Sequence, residues 1–444
     1  MCFIVFSAQK NIFTLLNQFV MHEEIVHFVW KHSPSLFNGI LLDDVETLEV
    51  ISPGVHNSDS GPDFFNAKLR IGQTIWAGNI EIHINASDWD KHKHNTDPAF
   101  DSVILHLVVN YDKEVHNSQG KKVLTVQVPY PDNLEWELQR LVGQDSWIPC
   151  AQSLPSYNGL QLQMWLSSLA AERLEQKTEQ IKALVNHFSG SWEEAFYVSM
   201  ARSFGLKINA LPFELLAKAT PLKYLAKIRD CLFSIEAMLF GQAGILPSDE
   251  KADDYTQRLV KEYSYHKAKF SLSPIPNHLW KFMRLRPMAF PTIRIAQFAM
   301  LIHSSSALFS KCLEATNLKQ LHGLLKVKTS EYWHSHYTFG NETSYRKKSI
   351  GLATIDIIIL NTIIPFAFAY GIERGNDALK EKALALLEQM KPEKNSMTEG
   401  FLKLGVSASN AYTTQALAQL KNEYCDKRKC LYCQVGANVL LKRV

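Results

Sequence analysis

The sequence predicts an α+β unit, a large all-α unit after it, and a short cysteine-containing tail, because its hydrophobic pattern changes twice. Residues 47–52, 64–71, 74–84 and 102–111 are rich in Val, Ile, Leu and aromatics, and Gly54, Gly72 and Asn110-Tyr111-Asp112 punctuate them, which is the pattern of strands. From Gly159 onward the period is helical. Three of the seven cysteines then crowd into the last twenty residues.

Ahead of the first strand, residues 22–31 place Ile25, Phe28, Val29 and Trp30 at helical spacing, with Glu23 and Glu24 in the first turn, where the helix dipole favours acids. A short pair at 114–116 and 123–128 flanks Asn117-Ser118-Gln119-Gly120, a hairpin turn. Amphipathic helices are expected at 160–187, 192–204, 222–240 and 378–390, separated by Pro and Gly. A chain of 444 residues is too long for one ordinary core. The boundaries read as 21–150 for the α/β domain, 151–420 for the helical domain and 421–444 for the basic, Cys-containing tail, with residues 1–20 as a leader from an upstream translation start.

A hydrophobic share of 46% and a charged share of 20% describe a globular chain. The net charge of +3 permits a nucleic-acid partner through a local patch without requiring one. The odd, uneven set Cys2, Cys150, Cys231, Cys312, Cys425, Cys430 and Cys433 does not form a disulfide framework, so a reducing, cytoplasmic location is expected. The stretch 350–370 comes closest to a membrane span but is interrupted by Asp356 and Asn361, so no membrane is expected.

The chemistry concentrates in Gly61-Pro62-Asp63-Phe64 and, one hairpin later, Gly78-Asn79-Ile80-Glu81-Ile82-His83. Two carboxylates that a hairpin brings together, with a nitrogen base beside the second, can hold a divalent cation and act on a phosphodiester. Alternation puts Asn79, Glu81, His83 and Asn85 on one polar face, and Asn66, Lys68 and Arg70 across from it. A turn at Gly72-Gln73 sets Glu81 opposite Phe64, so a bulge or bend after Pro62 is needed to turn Asp63 inward. Lys68 falls opposite Ala77, roughly 13 Å along the strand from Glu81. The next segment, 87–97, holds Asp88, Asp90, His92, His94 and Asp97 within eleven residues, an excess of metal-competent groups for a plain link. His92, His94 and Asp97 are therefore candidate ligands. His106 alternates with Ile104 and Val108 and reads as a core histidine, and Asp59 as a residue shaping the loop into the site.

The Pro-Asp and Glu-x-His pair in this setting resembles the PD-(D/E)xK nuclease superfamily over roughly residues 21–130. That resemblance implies a restriction-endonuclease-like small mixed sheet with flanking helices. It also implies Asp63 and Glu81 as ligands of Mg²⁺ or Mn²⁺, and an acidic ligand from Glu23 or Glu24. His83 stands where the superfamily has lysine. Nearly everything after Met21 is similar to an uncharacterised bacterial family, a domain of unknown function, in the pieces Asn57 to Phe64, Gly78 to His83, Arg286-Pro287-Met288-Ala289-Phe290-Pro291 and Tyr424-Cys425 to Cys433.

Cys425-x4-Cys430-x2-Cys433 supplies three soft ligands, and Cys150 in Trp147-Ile148-Pro149-Cys150 is the first candidate for a fourth, for zinc or an iron–sulfur cluster. Arg346-Lys347-Lys348 beside Tyr345, with Trp333 and Tyr337 nearby, is a second candidate surface for nucleic acid. The leading expectation is a metal-dependent nuclease in which Asp63 and Glu81 hold the cation, His83 orients or deprotonates water and Lys68 offsets charge. Its helical domain would grip substrate or a protein partner. The alternatives are an inactive nuclease-fold binding or scaffold protein, and a zinc hydrolase of another substrate built on His83, His92, His94 and Asp97.

Overall fold

The computed structural model describes residues 22–42, 46–57, 59–247, 253–442, so the leader at 1–20 lies outside the described residues. The chain divides into two compact units, one of residues 1–165, 403–406 and 420–444 and one of residues 166–402 and 407–419. The cysteine-containing tail thus belongs to the same unit as the sheet.

That unit opens with helix α1 (His22–His32). Its sheet has seven strands: β1 (Leu41–Leu42), β2 (Glu46–Ser52), β3 (Val55–His56), β4 (Phe64–Ile71), β5 (Thr74–Asn85), β6 (Val103–Asn110) and β7 (Thr125–Gln127). The order is β1-β2-β4-β5-β6-β7, with β3 also paired to β4. The first part is antiparallel, with a two-residue turn at Gly72-Gln73 joining β4 to β5, whereas β5, β6 and β7 run parallel. A parallel pair needs a crossover, and residues 86–102 supply it with helix α2 (Asp88–Lys91) and two short 3₁₀ turns.

The predicted hairpin forms with Ala67 opposite Gly78, Lys68 opposite Ala77 and Leu69 opposite Trp76. Beyond that the register slips by one: Phe64 faces Ile80, not Glu81. The cause is a bulge at Asn66, whose φ of 56° is left-handed, a conformation Asn tolerates better than most residues. Gly78 is set by packing, since a Cβ there would stand 2.3 Å from Ile104 Cγ2 across the parallel pair. The expected hairpin around residues 117–120 forms in short form, with a His116–Lys122 bridge and backbone bonds from Val123 to Val115 and from Asn117 to Lys121, and the following segment joins β6 as β7.

The second unit is helical around one core that includes Phe204, Phe213, Phe240, Phe298 and Trp333. The helix expected at 222–240 is two helices, Leu222–Ala226 and Leu232–Gln242. Between them the Arg229 carbonyl accepts a 2.7 Å hydrogen bond from His303 Nδ1 instead of continuing the helical ladder. Helix Leu352–Glu373 is long and apolar enough to cross a membrane, but 72% of its apolar window is buried within the fold. Cys312 is buried, whereas Cys231 is exposed at the N-cap of its helix. Of the expected phosphate-facing group near Tyr345, Arg346 and Lys347 are exposed, and Lys348 alone among its basic residues is withdrawn. Lys348 is fully buried, donates to the carbonyls of Trp333 and His334, and lies 4.1 Å from the centre of the Tyr337 ring.

Candidate metal centre

The bulge at Asn66 creates the site. It shifts the β4–β5 register opposite Asn79, so that the ladder ends at the Phe64–Ile80 pair and Asp63 comes next, beside Glu81 and Ile82. Asp63 fills the gap with its own groups: its N–H donates to Glu81 Oε2 at 3.2 Å, and its Oδ2 accepts from the Ile82 N–H at 2.8 Å. Asn57 anchors the entering loop, donating from Nδ2 to the carbonyls of Asp59, Ser60 and Pro62.

Helix α1 lies across this point and adds His27, whose Nε2 is 3.3 Å from Asp63 Oδ2 and 3.8 Å from Glu23 Oε1. That nitrogen is buried and makes no well-aligned hydrogen bond. Glu23, His27 and Asp63 thus form a triad whose ligand atoms all lie within 4.8 Å of one another.

A second triad of the same compactness, His83, His92 and His94, adjoins it. His92 ends α2 and His94 begins the next turn, and the left-handed Lys93 between them, φ 65°, folds the chain so that both rings return to β5. Trp89 is fully buried, with its ring centre 5.4 Å from that of His94 and 5.1 Å from that of His106, and Phe100 stacks on His94 at 3.7 Å. Glu81 connects the two triads. Its Oε1 is 3.1 Å from His94 Nε2 and 3.5 Å from His83 Nε2, while Oε2 accepts from Asp63.

Hydrogen bonding behind His83 fixes its tautomer. The Thr125 hydroxyl donates to the Val123 carbonyl, so its oxygen is left to accept from His106 Nδ1–H at 3.3 Å. His106 Nε2 is then bare and accepts from His83 Nδ1–H at 2.9 Å. The lone pair of His83 Nε2 therefore faces His92, His94 and Glu81, the arrangement of a ligating histidine whose other N–H is held from behind. The His106 of the sequence reading is indeed a satisfied core histidine, and it also orients the site.

The electrostatics suit a cation. Burial, reinforced by Asp63, pushes Glu81 up to about 9, and burial raises Glu23 to about 7 despite the nearby His27. His27 is also raised, because its hydrogen bond and charge interaction with Asp63 outweigh burial. Burial and the neighbouring histidines hold His83 down to about 2, so it is neutral. Carboxyls and a His27 that hold their protons, beside the neutral His83, take up a divalent cation by releasing protons.

The sequence-predicted residues are thus divided. Asp63, Glu81, His83, His92 and His94 come together. Lys68 is exposed and opposite Ala77, where its strand position carries it away from the carboxylates. Asp97 is exposed and spends its carboxylate on the Ala99 N–H at 2.9 Å, capping a turn. Asp88 and Asp90 are structural, bonding Asn85 and Lys91, and Lys113, respectively. His27 escaped the sequence reading because it sits in an apolar helical run, although its position four residues after Glu23 places both on one helix face. Cys150, Cys425, Cys430 and Cys433 are all buried in this unit.

The family described as "Protein of unknown function (DUF2851)" has a model that matches residues 23–396 of this chain. No curated protein and no solved structure matches.

Proposed function

We propose for this chain, which belongs to the DUF2851 family, the function of a divalent-metal-dependent hydrolase of phosphodiester bonds in nucleic acid. The observation that carries the proposal is the meeting of two ligand triads, Glu23–His27–Asp63 and His83–His92–His94, at Glu81. The donor set fits a cation, because it combines a buried imidazole nitrogen on His27 that faces Asp63 and Glu23, an unprotonated Nε2 on His83 and carboxyls in want of positive charge. Imidazole-rich coordination favours Mn²⁺ or Zn²⁺ over Mg²⁺. A cation held there would supply Lewis acidity to the phosphodiester.

In this reading Asp63 and Glu81 are ligands, and so is His83, whose bare nitrogen lies within the compact triad. A helix, an antiparallel meander with carboxylates on its last two long strands, and a parallel strand after a crossover support the nuclease-like core that the PD-(D/E)xK resemblance implies. Lys68 supplies no charge here. Lys31, His32 and His56 line a pocket that reaches His27 and are the better candidates for meeting a phosphate. The free cysteines fit a cytoplasmic location, and the helical unit would grip the nucleic acid or a protein partner.

The test is cleavage of labelled single- and double-stranded DNA and RNA by the purified chain with Mg²⁺, Mn²⁺ or Zn²⁺. Cutting is expected with Mn²⁺ or Zn²⁺, falling at least about 100-fold in Asp63→Ala and Glu81→Ala. The exposure of Lys68 favours one rival, a nuclease fold kept for binding alone. Nucleic acid bound but never cut by folded, metal-loaded protein would establish that rival and end the hydrolase reading.

A further inference from the structure

Cys425, Cys430 and Cys433 lie in the tail, and Cys150 lies far away in the chain, before the first long helix. The fold brings all four together. Arg428, inside the loop between Cys425 and Cys430, is left-handed at φ 55° and donates to the carbonyls of Val142 and Gln144. Lys421 sits 5.1 Å from the centre of the Trp147 ring, Tyr424 meets Trp165 edge-on at 5.4 Å, and the Tyr157 hydroxyl reaches the Gln434 carbonyl at 3.5 Å. These contacts surround Cys150 with the tail. Helix Gln434–Leu441 starts hard against the loop, because a Cβ on Gly436 would stand 2.4 Å from the Cys430 carbonyl oxygen.

Exposures of 7% for Cys150, 9% for Cys425, 6% for Cys430 and 5% for Cys433 show a buried set, and none is in a disulfide. Every pair among the four is close enough to interact electrostatically. The buried indole N–H of Trp165 makes no full hydrogen bond yet borders Cys433, where it would favour a thiolate. A single buried thiol packs as a small apolar group, so it is the convergence of four from distant segments, not their burial, that points to a shared ligand.

Four thiolates are the ligand set of a structural zinc ion and of an iron–sulfur cluster alike. We propose that Cys150, Cys425, Cys430 and Cys433 ligate one such thiolate-bound metal group, which pins the C-terminal tail to the rest of the sheet-bearing unit. The pin reaches the metal centre through Tyr432, which lies between two of the cysteines, hydrogen-bonds Glu24 on α1 and meets the ring of His56 at 6.4 Å. The inference does not depend on the hydrolase reading.

The test is the full chain, expressed with ample iron and zinc and purified without oxygen. Bound metal is expected: iron with acid-labile sulfide in equal amounts and a visible absorption that dithionite bleaches identifies a cluster, and zinc without sulfide identifies the single ion. Cys150→Ser and Cys430→Ser lose that metal, while Cys231→Ser and Cys312→Ser keep it. Folded wild-type protein that holds neither metal, or a metal that stays in folded Cys150→Ser and Cys430→Ser, overturns the proposal, and the wild-type result decides even if the serine variants fail to fold.

Discussion

His83 shows how a residue with no charge of its own is made useful. Its Nε2 is bare only because His106 accepts from its Nδ1–H, and His106 is fixed in turn by Thr125. Removing His106 frees the His83 ring to take the other tautomer without touching any ligand atom. His106→Ala is therefore expected to weaken Mn²⁺ or Zn²⁺ binding by about 10–100-fold, as read by calorimetric titration. Thr125→Val, which leaves the imidazole pair intact, should cost less. Equal affinities in wild type and His106→Ala would show that His83 is not a ligand.

Among the elements, β5 carries the most demands, since it pairs antiparallel with β4 on one side and parallel with β6 on the other. Gly78 stands where the parallel pairing begins, and any Cβ would collide with Ile104 and the Ser102 carbonyl. Gly78→Ala is expected to destabilise the sheet-bearing unit by about 1–3 kcal/mol in urea unfolding. A midpoint unchanged from wild type would mean that the strands separate freely there. The same strand marks what the sequence could tell. Its alternation and the turn at Gly72 made the hairpin and its register at residues 67–78 legible, because both are local. The slip at Asn66 was legible only as a need, since a single left-handed residue leaves no periodic trace. The parallel pairing with β6 depends on contacts between distant segments, and periodicity does not encode partners. For the same reason His27 went unremarked and His106 read as core: burial and ligation put the same demand on the pattern, and only the fold shows which atoms their nitrogens face.

Across the whole molecule, protons and cations compete for one cluster, and the pH dependence of stability should report that competition. Without a cation, folded Glu81 holds its proton up to about 9, whereas an unfolded glutamate loses it near 4.5. Between those values the native state binds more protons, so the stability this group contributes is full below 4.5 and is lost as pH rises toward 9. His83 and His106 act oppositely: pushed down to about 2 and about 4 mainly by burial, they lose their contribution as pH falls below 6.5. Above 6.5 His83 and His106 are neutral in both states; Glu81 then contributes a slope of up to about 1.4 kcal/mol per pH unit, in the same direction as the raised His27 and, to about pH 7, Glu23. In the helical unit Lys177, held down to about 7 mainly by burial and also by Arg173, works the other way over the same range, so the measurement has to be a comparison. The difference in stability between wild type and Glu81→Gln, followed by denaturant unfolding with chelator present, should shift against wild type from pH 6.5 to 9. Saturating Mn²⁺ displaces the Glu81 proton, so wild type should then regain stability most at the highest pH. A Mn²⁺ effect that is the same at pH 6.5 and 9 would mean that the cation binds without displacing a proton from Glu81, and that this carboxyl is not among its ligands.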